Sequence, residues 1–374
     1  MKIGIVTYWK SSCNYGEQLQ NYALQEYLKD MGHEPFLIRY DYDSDRIKLP
    51  RHKKIGKLLD PKQAPGYLKA VRCGRKLAKE SIIHPRGFEA FRQRHLSMSR
   101  IYSSADDLAA DPPAADMYIT GSDQVWNSFE GGLEQMRNRL RVFFLDFGGE
   151  DVMRASYAAS WGRNDIPDEE KVFIKPLIDR FDAVSVRERT GIGICKGLGR
   201  DDAVVALDPV MLFDAGKYRE LYRGSSVDHS GEKYLFFYYM NNDGDYNRKA
   251  VFDLAESMGL KVIYVTDDWH DGLPRSFPDV YEWLNMLDNA EYVVTNSYHC
   301  SLLSIVFEKR FGVIRRFGKY AGMNTRMDSL FDLCGIEPRY IDDDDFEVLM
   351  RPPQKPDAGR IGNVLKPDQV IGAA

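Results

Sequence analysis

An imidazole, two guanidiniums and a carboxylate stand where an α/β protein would place its chemistry. His299 closes the string Asn296-Ser297-Tyr298-His299, which separates the apolar run Tyr292-Val293-Val294-Thr295 from a second run reaching Phe307. The pattern predicts strand, tight turn and helix, with His299 in the first helical turn beside unpaired backbone N–H groups. Such a turn favours an anion, and its positive potential opposes protonation of the ring. A neutral imidazole beside an anion pocket can act as a base. The same residues also fit an ordinary capped turn, with Ser297 as N-cap and His299 merely packed.

Arg187 follows the short buried run Ala183 to Val186. A guanidinium there can reach into a cleft and grip a carboxylate or phosphate in bidentate fashion, or it can pair with a neighbour such as Glu188. Arg326 falls in the first turn of a helix starting near Asn324, where a cation opposes the helix dipole unless an anion is present. Arg315, Arg316 and Lys319 lie close in sequence. Together they suit a small, doubly anionic ligand. Asp123, in Gly121-Ser122-Asp123-Gln124, suits hydrogen bonding to sugar hydroxyls or proton transfer, and equally suits capping of a following turn. In Asn14-Tyr15-Gly16, glycine permits close backbone approach at a helix N-terminus, or simply makes the turn.

These clusters need elements to hold them. Lys2 to Thr7 reads as a buried parallel strand, Leu19, Tyr22, Ala23 and Tyr27 as one face of a helix ended by Gly32, and Pro35 to Arg39 as the next strand. That is a βαβ unit. Residues 42–85, rich in Lys, Arg, Pro and Gly, predict a basic, partly helical and mobile insertion. Further strands are expected at Asp116 to Thr120, Val142 to Phe147, Arg154 to Ala159, Ala183 to Val186 and Val204 to Leu207. From Tyr234 the alternation restarts. The fold expected is α/β, with two Rossmann-like domains facing a cleft: residues 1–212, residues 213–350, and a tail at 351–374. Asn14 to Gly16, Gly121 to Gln124, Arg187 to Arg189 and Asn296 to His299 all fall at predicted strand C-termini, the edge where open α/β sheets bind ligands.

Bulk properties exclude several classes. The formal net charge is −5, so no overall basic balance points to nucleic acid. The five cysteines are scattered and form no CxxC, which argues for reduced thiols over a disulfide frame or zinc site. Neither HExxH nor a spaced carboxylate cluster occurs, so no catalytic metal is expected. Gly191-Ile192-Gly193-Ile194-Cys195-Lys196-Gly197 imitates a dinucleotide loop but does not open directly from its strand. Cys300 points about 100° away from His299 on a helix and reads as packing. The chain opens on a strand and holds no apolar stretch near the ~20 residues that span a bilayer. A cytoplasmic protein is expected, with the basic stretch Arg46 to Arg94 suited to peripheral contact with anionic lipid at the inner membrane face.

The motifs also resemble a known family. Asn14-Tyr15-Gly16-Glu17-Gln18-Leu19-Gln20-Asn21-Tyr22-Ala23-Leu24, Gly121-Ser122-Asp123-Gln124-Val125-Trp126-Asn127, Ser185-Val186-Arg187-Glu188, Leu207-Asp208-Pro209 and Thr295-Asn296-Ser297-Tyr298-His299 are similar, in order and spacing, to the polysaccharide pyruvyl transferases. The resemblance implies an architecture like that of the glycosyltransferase-B enzymes. It implies phosphoenolpyruvate as donor and a cell-surface polysaccharide sugar as acceptor, often on a polyprenyl diphosphate carrier, with no cofactor. It implies donor binding at Arg187 and acid–base work at His299. Family members often read Arg-Leu-His where this chain has Ser297-Tyr298-His299, so the missing anion contact is expected from Arg326. The resulting assignment gives proton transfer to His299 and Asp123. It gives donor contacts to Arg187, Arg326, Asn324 and Ser297, and acceptor contacts to Asn14, Tyr15, Gly16 and Gln18. Two other readings remain: a nucleotide-sugar-dependent glycosyltransferase of the same architecture, and a non-catalytic glycan- or carrier-binding relative.

Overall fold

Buried apolar strands alternating with helices close two separate parallel sheets. The computed structural model describes residues 1–43, 59–61, 64–127, 132–225, 229, 231–240, 246–267, 271–362, 364 and 366–372. The first sheet holds β1 (Lys2–Val6), β2 (Glu34–Tyr40), β3 (Met98–Tyr102), β4 (Met117–Thr120), β5 (Met153–Ala159), β6 (Ala183–Val186) and β7 (Val204–Val205). Their order is β3-β2-β1-β4-β5-β6-β7. The second holds β8 (Tyr234–Tyr239), β9 (Lys261–Thr266), β10 (Tyr292–Thr295), β11 (Arg310–Ile314) and β12 (Tyr340–Ile341), in the order β12-β11-β10-β8-β9. Every pairing is parallel. This is the α/β fold with two Rossmann-like sheets that the alternation predicts.

Strand order reverses between β1 and β4 in the first sheet and between β8 and β10 in the second. Such switch points open crevices beyond the strand C-termini. Val6 pairs with Thr120 at one and Tyr238 with Thr295 at the other. The helices that follow β1 and β10, Tyr15–Asp30 and Tyr298–Val306, therefore start at these crevices.

An aromatic seam joins the two units. The Tyr15 ring stacks on Trp283 at 5.1 Å, and its hydroxyl donates to the Pro278 carbonyl at 2.6 Å. The Tyr238 hydroxyl donates to the Cys13 carbonyl at 3.3 Å, and Arg86 donates to the Thr266 carbonyl at 2.9 Å. A stacked pair of this kind adds about 0.5–1.5 kcal/mol beyond burial.

Several expectations change. Val142 to Phe147 is not a strand: a helix, Gly132–Phe143, runs into a turn there. Met136, Leu140 and Phe143 are buried at helical spacing, so the helix period prevails over the local apolar run. β3 and the helix Arg189–Gly197 appear where no element was expected. The glycine pattern lies inside that helix, and Gly191 packs on Trp161 and Val186. The last helix, Pro367–Ile371, returns to the first sheet, where Val370 and Ile371 join the core of Ile3, Ile5 and Leu24. Of the 42–85 insertion, the helix Ala64–Ile83 is seen, while residues 44–58 and 62–63 lie outside the described residues. Among the described residues no helix is long and apolar enough to cross a membrane.

Candidate active site

Asp208 is the centre of the site. It follows β7 in Leu207-Asp208-Pro209 and is 2% exposed. Its Oδ2 accepts from Arg187 Nη1 at 2.9 Å and from Ser122 Oγ at 2.9 Å, and lies 3.4 Å from His299 Nε2. Its Oδ1 accepts from the Val210 N–H at 3.1 Å. Burial opposes its ionisation, yet His299 and Arg187 hold the carboxyl well below the usual carboxylate range. Arg187 directly follows β6 of the first sheet, and His299 follows β10 of the second. The two units thus meet on one carboxylate. In sequence Asp208 reads as a strand end before a turn and as part of the Leu207-Asp208-Pro209 motif, with no role attached. Its signal is position: an acidic side chain at the same sheet edge as the other clusters.

Ser297 caps the helix that carries His299, its Oγ accepting from the Cys300 N–H at 3.4 Å. The capped-turn reading is therefore present, and the His299 ring is set by it. The Cys300 thiol is pushed up to about 12 by burial, as befits packing. Gly16 closes the other side of the ring. A Cβ added there would lie 2.4 Å from His299 Cγ and Nδ1 and 2.5 Å from its Cβ. Because the histidine Cβ cannot swing away, Gly16→Ala must displace the helix or the ring. Its expected loss is about 1–3 kcal/mol of stability, read as a lower urea midpoint.

Arg187 and Arg326 both lie near the Tyr298 ring, at 4.3 and 5.7 Å from its centroid. Arg187 is 1% exposed, and its Nε and Nη2 have no hydrogen-bond partner among the described residues. Its Nη2 lies 3.8 Å from Asp123 Oδ1. Arg326 is buried too. Burial, then Arg187, then Arg316 lower it to about 10. Gln124, with its amide oxygen turned toward the guanidinium, accepts from both Nη atoms of Arg326 at 3.0 and 3.3 Å. A buried guanidinium depressed by a second one beside it forms a site that an anion stabilises.

The remaining candidates are placed as follows. Asp123 adopts φ 86, and its carboxylate accepts from the Gln124 N–H at 2.8 Å. This strained turn aims it at Arg187 rather than into a helix. Asn324 braces the Arg316 backbone, with 2.9 Å bonds to both its N–H and its carbonyl. Asn14 caps the first helix through the Glu17 N–H at 3.3 Å. Tyr15 is buried in the aromatic seam, and Gln18 Nε2 bonds the Trp9 carbonyl at 3.1 Å. These three hold the loop that Gly16 presents to His299. Glu188 enters the sequence reading only as a pairing partner of Arg187 and the last residue of the Ser185-Val186-Arg187-Glu188 motif. Its Oε1 accepts from Ser160 Oγ at 2.9 Å and from the N–H groups of Trp161 at 2.8 Å and Gly162 at 3.0 Å.

Comparison with solved structures finds a UDP-GlcNAc 2-epimerase of Methanocaldococcus jannaschii bound to UDP-GlcNAc and UDP. It is 11% identical, with 94% of this chain and 91% of that one covered and a TM-score of 0.49. An α-glucosyltransferase in complex with UDP and a 13-mer DNA is 12% identical over 94% and 88%, with the same score. The UDP-GlcNAc 2-epimerase of Neisseria meningitidis is 8% identical over 100% and 97%, at 0.42. At these values the likeness carries no chemistry, and the fold rests on the sheet topology itself. Among curated proteins none matches. The family model for polysaccharide pyruvyl transferase matches residues 14–316, a span that holds every motif quoted above together with Asp123, Arg187, Asp208 and His299, but not Asn324 or Arg326. The chain therefore belongs to the polysaccharide pyruvyl transferase family.

Proposed function

We propose that the protein transfers pyruvate from phosphoenolpyruvate to two hydroxyls of one sugar in a cell-surface polysaccharide precursor, forming a cyclic ketal and releasing phosphate. The observation that carries this reading is the meeting of Arg187 and His299 on Asp208, with Arg326 beside them, in a chain of this family. Phosphoenolpyruvate presents a carboxylate and a phosphate on adjacent groups. Two guanidiniums beside one tyrosine ring suit that charge pattern, and both can bind bidentately. His299 removes the proton of the attacking hydroxyl as its oxygen bonds to C2, and Asp208 keeps the ring oriented. Asp123, at the strained turn, orients the acceptor hydroxyl. No metal or organic cofactor enters the proposed reaction. The acceptor is proposed to approach from the Gly16 loop, on a polyprenyl diphosphate carrier, with the basic 42–85 segment resting on the inner membrane face.

Thermal shift with phosphoenolpyruvate, uridine diphosphate and guanosine diphosphate tests the donor. Binding at a hundred times the dissociation constant adds about 2.7 kcal/mol. Phosphoenolpyruvate alone is expected to raise the melting temperature. A shift with a nucleotide instead points to a nucleotide-sugar glycosyltransferase, and no shift with any points to a non-catalytic relative. Arg187→Lys keeps the charge beside Asp208 but loses the planar fork, so most of the phosphoenolpyruvate shift is expected to vanish. An undiminished shift removes Arg187 from the donor site.

A further inference from the structure

Ketal formation needs two proton-transfer groups, since C3 of the donor gains a proton while a hydroxyl loses one. His299 fills one role. We propose that Glu17 fills the other, as the acid that protonates C3. This rests on the reading above.

Glu17 is the third residue of the helix Tyr15–Asp30, directly after the glycine whose backbone abuts the His299 ring. It is buried, at 4% exposure. Both of its hydrogen bonds fall on Oε1, from the Ser11 N–H at 2.7 Å and from Gln18 Nε2 at 3.2 Å. Among the described residues Oε2 makes none. Four charged or titratable groups face it: Asp123 from the turn after β4, Arg92 from the helix Phe88–His95, and Lys10 and Cys13 from the loop after β1. Arg92 is engaged elsewhere, by Glu89 at 2.8 Å and by the Trp9 and Ser11 carbonyls at 3.1 and 3.2 Å. Burial pushes the Glu17 carboxyl up to about 8. The Ser11 N–H opposes the shift, Asp123 adds to it, and Arg92 and Lys10 oppose it. A carboxyl that keeps its proton at neutral pH, one residue along the chain from the glycine that abuts His299, supplies the acid half that an acid–base pair requires.

The protons balance. The Glu17 carboxyl gives its proton to C3 as the C2–C3 π pair forms the C–H bond. The first hydroxyl oxygen bonds to C2 and its proton passes to His299. The C2–O bond to phosphate breaks with its electron pair, and phosphate takes the proton from His299. The second hydroxyl oxygen then bonds to C2, and its proton restores Glu17.

A glutamate that only braced the 9–13 loop would use Oε1 alone, and Gln supplies the same oxygen. Glu17→Gln in the full chain therefore separates the roles. Phosphate release from phosphoenolpyruvate is measured with water and with methyl galactoside, mannoside and glucoside as acceptors. The expected result is a loss of about 10²–10⁴-fold in turnover, with half-saturation by phosphoenolpyruvate unchanged. Glu17→Ala is expected to regain part of the rate with added formate. A second readout needs no substrate. The folded chain holds a proton between about pH 4.5 and 8 that the unfolded chain has released, so this group's stability contribution falls as pH rises through that window. The melting temperature of the parent is expected to fall more steeply there than that of Glu17→Gln. Parental turnover in Glu17→Gln, or an identical pH slope, overturns the proposal for Glu17 alone. Absence of phosphate release by the parent chain overturns the pyruvyl-transfer reading and this proposal with it.

Discussion

Replacing His299 with alanine is expected to lower turnover by about 10²–10⁴-fold while affinity for phosphoenolpyruvate stays near the parental value. The division follows from geometry. The groups proposed to bind the anion are Arg187 and Arg326, which both lie near the Tyr298 ring and do not depend on the imidazole for support. Arg187 keeps its 2.9 Å bond to Asp208, and Arg326 keeps Gln124. What disappears is the one ring between Gly16 and Asp208 able to take and return a proton. Asp208 retains Arg187, Ser122 and the Val210 N–H, so the buried carboxylate is still satisfied and the fold survives. Melting curves with and without phosphoenolpyruvate, set beside steady-state rates, separate the two terms. A parallel drop in affinity and turnover would make His299 a structural residue and end its assignment as acid–base group.

Asp208→Ala is expected to destabilise the fold by about 3–5 kcal/mol, a large share of the ~5–15 kcal/mol that holds a typical domain. The alanine leaves the Arg187 guanidinium buried without its nearest counter-charge, and leaves Ser122 Oγ without its acceptor. Asp208→Asn should fall between alanine and parent, because the amide oxygen still accepts from Arg187 but carries no charge. The pH dependence has a definite sign. The folded carboxyl lies well below its unfolded value of about 3.9, so its contribution is fully present above that pH and is lost as pH falls toward the folded value. Urea midpoints of parent and Asp208→Ala should therefore differ by a constant amount from about pH 5 to 8 and converge in acid. Midpoints that coincide at pH 7 would show that Asp208 does not hold the two units together.

Much of the fold is readable along the chain. β1, β8 and β10 are short apolar runs bounded by turn residues, the pattern of a buried parallel strand. Gly32 and Gly335, at φ 83 and 64, end helices that their apolar spacing announces. Val142 to Phe147 misleads because a short apolar run looks the same as a strand or as a buried helix end. Only packing of Met136 and Leu140 from the preceding turns selects the helix. β3 is missed for the opposite reason. Met98-Ser99-Arg100-Ile101-Tyr102 lies at a sheet edge, is half exposed and carries little apolar signal.

The site divides along the same line. His299, Arg187 and Asp123 stand out because each follows a predicted strand, and position relative to a strand end depends on neighbours a few residues away. Tyr15 and Gln18 look in sequence like groups that meet a ligand. In the folded chain the tyrosine hydroxyl is bound by the Pro278 carbonyl, and the glutamine by Trp9. The reading of Asp208 as the shared counter-charge, of Gln124 as the partner of Arg326, and of Glu17 as a buried carboxyl comes from contacts between segments far apart in the chain. Periodicity and turn chemistry are short-range, and they set which elements form and at which sheet edge the polar groups gather. Burial, charge pairing and the closeness of Gly16 to an imidazole are long-range, and they arise only when two sheets bring their switch points together.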